Sequence, residues 1–307
     1  MVNHLEYFWK SLPNLSEVSF DIGKDEADRL LEGVKNQGEI FSDPNSMENN
    51  EKEVVAFRPI FSKLKKSPGF VLLRAEADLS DDELRRLYAS ISRTIGKLNQ
   101  RYGYFFDVVD QGLNYTKEAI PVSKTKASTG YHTDSTAKDY VPDAVGLLCL
   151  NAGYKGGESL VTNAANAYEM LKKRFPECLN ELEKPVIRDV ITPGSEYNME
   201  AILSNAFPVY SKENDGFLFR YMRFWIESAH SKTGFPISSR LVQGMDAIDH
   251  FFSKTENTVR FKMQRGDMLF LNNRFLCHNR SAFEDHPSLC RRMMVRTWIN
   301  FEDYAQE

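Results

Sequence analysis

A mainly β fold of the α+β kind, with helices packed around the strands, is what this 307-residue chain predicts. Two observations carry the prediction. Strand-like segments rich in Val, Ile, Leu and aromatic residues outnumber the amphipathic helical ones. They are also spread through the chain instead of alternating with helices in regular units, which argues against a βαβ architecture. A P-loop, a G-x-G-x-x-G, a G-x-S-x-G and an internal repeat are all absent, so nucleotide-binding and hydrolase folds lose their usual signals.

Residues 1–65 are expected to be an N-terminal extension packed on the core, with residues 66–307 forming the main body of a single structural domain. The stretch to about Ser67 reads as irregular and polar. Within it Asp25 to Val34 is a short helix with Leu30, Leu31 and Val34 on one side, and Ser42 to Glu51 is an exposed loop. Gly69 to Arg74 is a compact strand. Ser80 and Glu83 then form a capping box, and Leu84, Leu87, Tyr88, Ile91, Ile95 and Leu98 recur at helical spacing on one face. Lys124 to Thr129 is small and polar, which suits a mobile lid and a plain surface loop equally.

Ala144 to Leu150 is a buried strand, and the turn Tyr154 to Glu158 feeds another, Ser159 to Val161. Asn163 caps the helix that follows, with Ala167, Tyr168 and Leu171 inward and Pro176 ending it. Phe217 to Tyr221 is a strand, and from Ser238 a helix carries Leu241, Met245, Ile248 and Phe252 inward. Gly266 to Cys277 and Arg292 to Phe301 close the chain as strands.

Composition bounds the class. With 42% hydrophobic and 27% charged residues the chain has the balance of a soluble globular protein. Its net charge of −4 removes the general attraction that nucleic-acid binders use. Cys149, Cys178, Cys277 and Cys290 form no C-x-x-C pair and read as reduced thiols, with Cys149 and Cys277 as small buried residues. The first residues lack the basic and long apolar regions of a signal peptide, and no apolar run is long enough to span a membrane. The expectation is a cytoplasmic protein acting on a small molecule, with no nucleic-acid or membrane partner; the sequence leaves its oligomeric state open.

The chemistry centres on Gly130-Tyr131-His132-Thr133-Asp134-Ser135. On an extended segment residues i and i+2 leave the same face, so His132 and Asp134 converge. A 2-His-1-carboxylate triad on non-haem iron(II) needs a second histidine from a distant strand, and His278 meets that need. Taken alone, an H-x-D triplet is as ordinary as a loop histidine beside a turn aspartate. His4, His230, His250 and His286 have no partner at ligand spacing and read as structural or surface residues.

In order, His132-Thr133-Asp134, Gly156-Gly157-Glu158-Ser159, Gly266-Asp267, Asn272-Asn273, His278-Asn279-Arg280, Arg291-Arg292 and Arg296 resemble the iron(II)/2-oxoglutarate oxygenases of the taurine dioxygenase group and their clavaminate synthase-like relatives. The resemblance covers roughly residues 66 to 301 and marks residues 66–307 as an oxygenase domain. It implies a distorted double-stranded β-helix, or jelly roll, with flanking helices. Fe(II), 2-oxoglutarate as cosubstrate and O2 are implied as well, with His132, Asp134 and His278 as both the metal ligands and the catalytic set. Arg292 would grip the far carboxylate of 2-oxoglutarate, since a guanidinium offers a planar fork that stays charged when buried; a surface ion pair is its plainer reading. Ser159 stands where the family places a hydroxyl on the same carboxylate. Arg296 would be a second hold on the cosubstrate or a hold on a substrate anion. Tyr221 and Arg223 are explained equally by the pocket and by core packing and solvent exposure.

The implied reaction is hydroxylation or desaturation of an unactivated C–H bond of a small polar metabolite, an amino acid or related acid, with release of succinate and carbon dioxide. Asp134 occupies the position that iron halogenases leave free for halide. The rivals are a non-catalytic jelly-roll protein that binds a small anionic ligand and a cupin-like oxygenase that does not use 2-oxoglutarate. The first has no need of open metal positions, and the second has no need of Arg292.

Overall fold

A computed structural model describes residues 6–34, 37–47, 51–76, 78–113, 122–136, 140–189, 198–213, 216–286, 288 and 291–301. His4 and Cys290, both singled out above, lie outside the described residues. The strands that position the site are β1 (Ser19–Asp21), β2 (Phe70–Arg74), β3 (Gly96–Leu98), β4 (Phe106–Val109), β5 (Ala144–Asn151), β6 (Ser159–Asn163), β7 (Gly216–Phe219), β8 (Thr258–Phe261), β9 (Asp267–Asn272), β10 (Leu276–Arg280) and β11 (Met293–Phe301). Seven of them form one sheet in the order β1-β2-β9-β5-β11-β3, with β4 also on β11. Only the β1–β2 pair in it is parallel. A second, antiparallel sheet has the order β8-β6-β10.

Alternation along the strands decides what each face of the large sheet meets. Val71, Leu73, Leu148, Phe270 and Val295 enter one core with Leu30, Phe61, Leu84 and Leu87. Those partners come from the helices α1 (Lys24–Val34), α2 (Glu51–Lys65) and α3 (Asp81–Ile95). Their strand neighbours Leu72, Val145, Leu269, Met294 and Trp298 enter the other core, together with Val161, Leu276 and Cys277 of the small sheet. The large sheet therefore carries helices on one face and the small sheet on the other. Beyond the small sheet that core takes in α4 (Ala164–Arg174), capped by Asn163 as expected, and α6 (Ser239–Ser253), capped by Ser238. Between them in sequence lies α5 (Arg223–Thr233).

The fold is mixed, and helices occupy more of the described residues than strands do. The region to Ser67 departs most from expectation. It holds α2, a helix of 15 residues with Pro59 inside it, and β1, which extends the large sheet. The internal proline and the polar run before it hide the helical period. Asn45, read as part of an exposed loop, exchanges hydrogen bonds with the backbone of Leu98 at 2.8 and 2.9 Å. Leu98 itself is in β3, because α3 stops at Ile95. A Cβ at Gly96 would lie 2.0 Å from the carbonyl oxygen of Asn300, so only glycine lets the chain leave the helix beside β11. The Gly266 to Cys277 segment is two strands. Asn272 accepts from the Arg274 amide at 2.8 Å and donates to Leu64 at 2.9 Å, turning the chain from β9 in the large sheet to β10 in the small one.

Cys149, Cys178 and Cys277 are free and buried. Among the described residues no helix is long and apolar enough to cross a membrane.

Candidate metal centre

His278 sits on β10, opposite Val161 of β6. On the other edge of β10 the backbones of His132 and His278 exchange two hydrogen bonds, of 2.9 and 3.0 Å. The H-x-D segment thus adds a single bridge residue to the small sheet and does not form a strand of its own. Thr133 is fixed on its far side: its amide donates to the Tyr221 carbonyl at 2.9 Å, its hydroxyl donates to Phe219 at 3.2 Å and accepts from the Tyr221 amide at 3.1 Å. Asn273 then clamps Asp134, accepting from its amide at 2.8 Å and donating to its carbonyl at 3.0 Å. The chain turns immediately afterwards at Ser135, whose φ is +61°.

The result is a cluster in which one donor atom from each of His132, Asp134 and His278 lies within 4.8 Å of the others. Asp134 Oδ1 is 3.6 Å from His132 Nε2 and 3.8 Å from His278 Nε2. Its other oxygen is already engaged: Trp298 Nε1 donates to Oδ2 at 2.6 Å, and an Arg296 guanidinium nitrogen lies 3.2 Å from it. Only Oδ1 is offered to the histidines. His132 Nδ1 donates to the Gly130 carbonyl at 2.9 Å, which fixes the tautomer and leaves Nε2 with a free lone pair.

Electrostatics favours the ligating protonation states. Burial opposes ionisation of Asp134, but Arg296, the two histidines and the Trp298 N–H outweigh it and hold the carboxyl down to about 2. Burial, helped by His132, takes His278 down to about 3 against the pull of Asp134. His132 is lowered by burial as well, again against Asp134. Near neutral pH the cluster is one carboxylate and two neutral imidazoles, a donor set that fits a non-haem iron(II) with open positions.

Arg292, Ser159 and Arg296 line one cavity with these three residues. Arg292 just precedes β11, and Met294, Arg296 and Trp298 follow it at every second position, so alternation turns them to one face. The Arg292 guanidinium is buried, its Nε has no hydrogen-bond partner, and it enters no ion pair among the described residues. Burial lowers its pKa to about 10, with Cys149 and Asp285 opposing. The Gly156-Gly157 turn makes room for it: a Cβ at Gly157, where φ is +70°, would lie 3.1 Å from Arg292 Nε. Arg296 spends its charge on Asp134 and stacks between Phe106 and Trp298, 5.1 Å from each ring.

Tyr221 and Arg223 lie away from the cavity lining. The buried Tyr221 hydroxyl donates to Asp249 at 2.7 Å, and Arg223 binds Glu227, Asp246 and Asp249 at 2.7, 2.6 and 2.9 Å. Both tie α5 to α6. Lys124 to Thr129 is pinned to β10 and its continuation: Thr129 exchanges hydrogen bonds of 3.1 and 2.9 Å with Arg280, and the Phe283 amide donates to Lys126 at 3.1 Å. Two residues escaped sequence reasoning. Trp298 carries no motif, and its contact with Asp134 spans 164 positions. Arg280 stands inside the quoted His278-Asn279-Arg280 run, but only the fold shows it buried in the cavity lining.

A family model described as "Taurine catabolism dioxygenase TauD, TfdA family" matches residues 58–298. The chain belongs to the TauD/TfdA dioxygenase family. It is 29% identical over 188 residues to FR-33289 synthase of Streptomyces rubellomurinus, covering 60% of this chain and 52% of that one. It is 24% identical over 207 residues to human gamma-butyrobetaine dioxygenase, covering 65% of this chain and 52% of that one. The chain thus spans about half the length of these curated relatives. Among solved structures, asparagine oxygenase in complex with Fe(II), 2S,3S-3-hydroxyasparagine and succinate superposes with a TM-score of 0.67 over 92% of this chain and 93% of that one. At 15% identity that likeness is one of fold.

Proposed function

We propose that this TauD/TfdA-family chain is a non-haem iron(II), 2-oxoglutarate-dependent oxygenase that hydroxylates, or desaturates, an unactivated C–H bond of a small polar metabolite. The observation that carries the reading is the convergence of His132, Asp134 and His278 within 4.8 Å in a cavity that also holds the buried guanidinium of Arg292, which enters no ion pair among the described residues. A non-catalytic binder of a small anion has no use for three converging metal ligands, and an oxygenase independent of 2-oxoglutarate has none for that guanidinium. The two facing sheets support the distorted double-stranded β-helix as the finer description of the fold. Amino acids and related acids are the favoured substrate class, in keeping with the gamma-butyrobetaine and asparagine named for its relatives.

Iron(II), 2-oxoglutarate and dioxygen supply, when bound, an oxidative decarboxylation to succinate and carbon dioxide coupled to oxidation of the substrate. The protein's part is binding, orientation and exclusion of water. His132 and His278 present neutral Nε2 atoms and Asp134 presents one oxygen, so these three residues would hold the iron and leave room beside it for cosubstrate and dioxygen. Trp298 and Arg296 keep the second carboxylate oxygen of Asp134 from competing for that room. Arg292 and Ser159, which line the same cavity, would hold the far carboxylate of the cosubstrate and so orient its oxo-acid end toward the three ligands. Val145, Leu147, Val161 and Leu269 form apolar walls that limit water in the same cavity.

Succinate release by the purified chain with iron(II), 2-oxoglutarate, ascorbate and a panel of amino acids and related acids tests the reading. One panel member should stimulate release and gain an oxygen atom or lose two hydrogens by mass spectrometry. No stimulation by any member would overturn the substrate class. Unchanged activity in His132→Ala or Asp134→Ala would overturn the metal assignment.

A further inference from the structure

Arg280 stands two residues beyond His278 on β10, so its side chain leaves the same face of the strand. In the β10–β6 register it pairs with Ser159. Its guanidinium is buried and lies 4.8 Å over the ring of Phe283, and the guanidinium of Arg292 lies 5.2 Å over the same ring. One Arg280 nitrogen donates to the Ala127 carbonyl, but its Nε is buried without a partner, as is Nε of Arg292. Two buried cations on one aromatic ring, both lining the cavity and each with an unanswered N–H, leave a place for an acceptor.

The surrounding charges point to the sign of that acceptor. Lys126 lies 3.6 Å from Asp110 and 3.7 Å from Asp285, and among the described residues these are the charged groups beside the two arginines. Three cations against two carboxylates leave one positive charge, which a single further carboxylate neutralises.

We infer that Arg280 and Arg292 together grip the far carboxylate of a 2-oxo dicarboxylic acid, and that Arg280 thereby selects the cosubstrate for its second acid group. The inference rests on the oxygenase reading above and adds a residue to it. Arg280 is then more than a pin for the Ala127 segment.

The test is calorimetric binding, without oxygen, to the iron(II)-loaded full chain, using 2-oxoglutarate and 2-oxopentanoate, which differ only in the far carboxylate. The wild type should prefer 2-oxoglutarate strongly. Arg280→Met should weaken 2-oxoglutarate by about tenfold or more while leaving 2-oxopentanoate within about twofold. Arg280→Lys, which keeps the charge and loses the fork, should retain part of the preference and serves if the methionine variant does not fold. Equal weakening of both acids would make Arg280 a structural pin and overturn the inference, and so would no weakening of either. If Arg292→Met abolishes the preference while Arg280→Met keeps it, the inference fails and the oxygenase reading stands. If the wild type binds neither acid, the oxygenase reading fails and takes the inference with it.

Discussion

Replacing Trp298 with Phe removes one N–H from Asp134 and keeps an aromatic ring against Tyr102, whose centroid lies 5.3 Å away. Asp134 is 5% exposed, so water does not replace the lost donor easily. A hydrogen bond to a charged group contributes about 1.5–3 kcal/mol, which is roughly tenfold to a hundredfold in an equilibrium. Arg296 remains 3.2 Å from the same oxygen, so the lower end applies. Iron(II) affinity should fall about tenfold, in the range seen when groups that orient a metal ligand are removed. Chelator competition gives the affinity, and thermal unfolding of the metal-free variant gives the stability change of the smaller ring. Wild-type iron affinity in Trp298→Phe would refute the reasoning. Arg296→Lys, which keeps a cation near Oδ2, should disturb iron binding less than Arg296→Met does.

Arg292→Ala should raise the 2-oxoglutarate dissociation constant by a factor of tens or more, since truncating one side of a buried charge pair costs roughly 2–5 kcal/mol; a change under about threefold in calorimetry would remove Arg292 as the anchor. Gly157→Ala, at φ +70° and 3.1 Å from Arg292 Nε, should shift that guanidinium and weaken 2-oxoglutarate binding with little effect on iron affinity. Asn273→Ala leaves the Asp134 amide and carbonyl and the Pro142 carbonyl without their buried partner and should lower stability by about 1–3 kcal/mol in denaturant unfolding. Chelating the iron should lower the unfolding temperature, because a ligand at a hundred times its dissociation constant stabilises by about 2.7 kcal/mol. With chloride present the product should contain no chlorine, because Asp134 fills the halide position; a chlorinated product would refute that role.

Local signals were legible wherever a few neighbouring residues settle the structure. Ser80 with Glu83, Asn163 and Ser238 cap the helices they announce. His132, Asp134 and His278 stand out because H-x-D and a strand-borne histidine are compact patterns, and the fold brings them together. What could not be read depends on the third dimension. A helical spacing runs on through Gly96 to Leu98, and only the approach of Asn300 shows why the helix ends earlier. The apolar run from Gly266 to Cys277 looks the same whether one strand or two sheets use it; the turn at Asn272 and Asn273 makes the difference. Tyr221 and Arg223 resemble pocket residues until the acids of α6 are placed beside them. Arg296 is legible as a residue facing the cavity, but its partner Asp134 is 162 positions away in the chain, beyond any local pattern.

A crystal structure of the iron(II) and 2-oxoglutarate complex, grown without oxygen, tests the central claim most directly. The expected result is one iron per chain held by His132 Nε2, His278 Nε2 and Oδ1 alone of Asp134, with 2-oxoglutarate chelating it and its far carboxylate on Arg292. Iron held elsewhere, or a far carboxylate that leaves Arg292 without a partner, would contradict it.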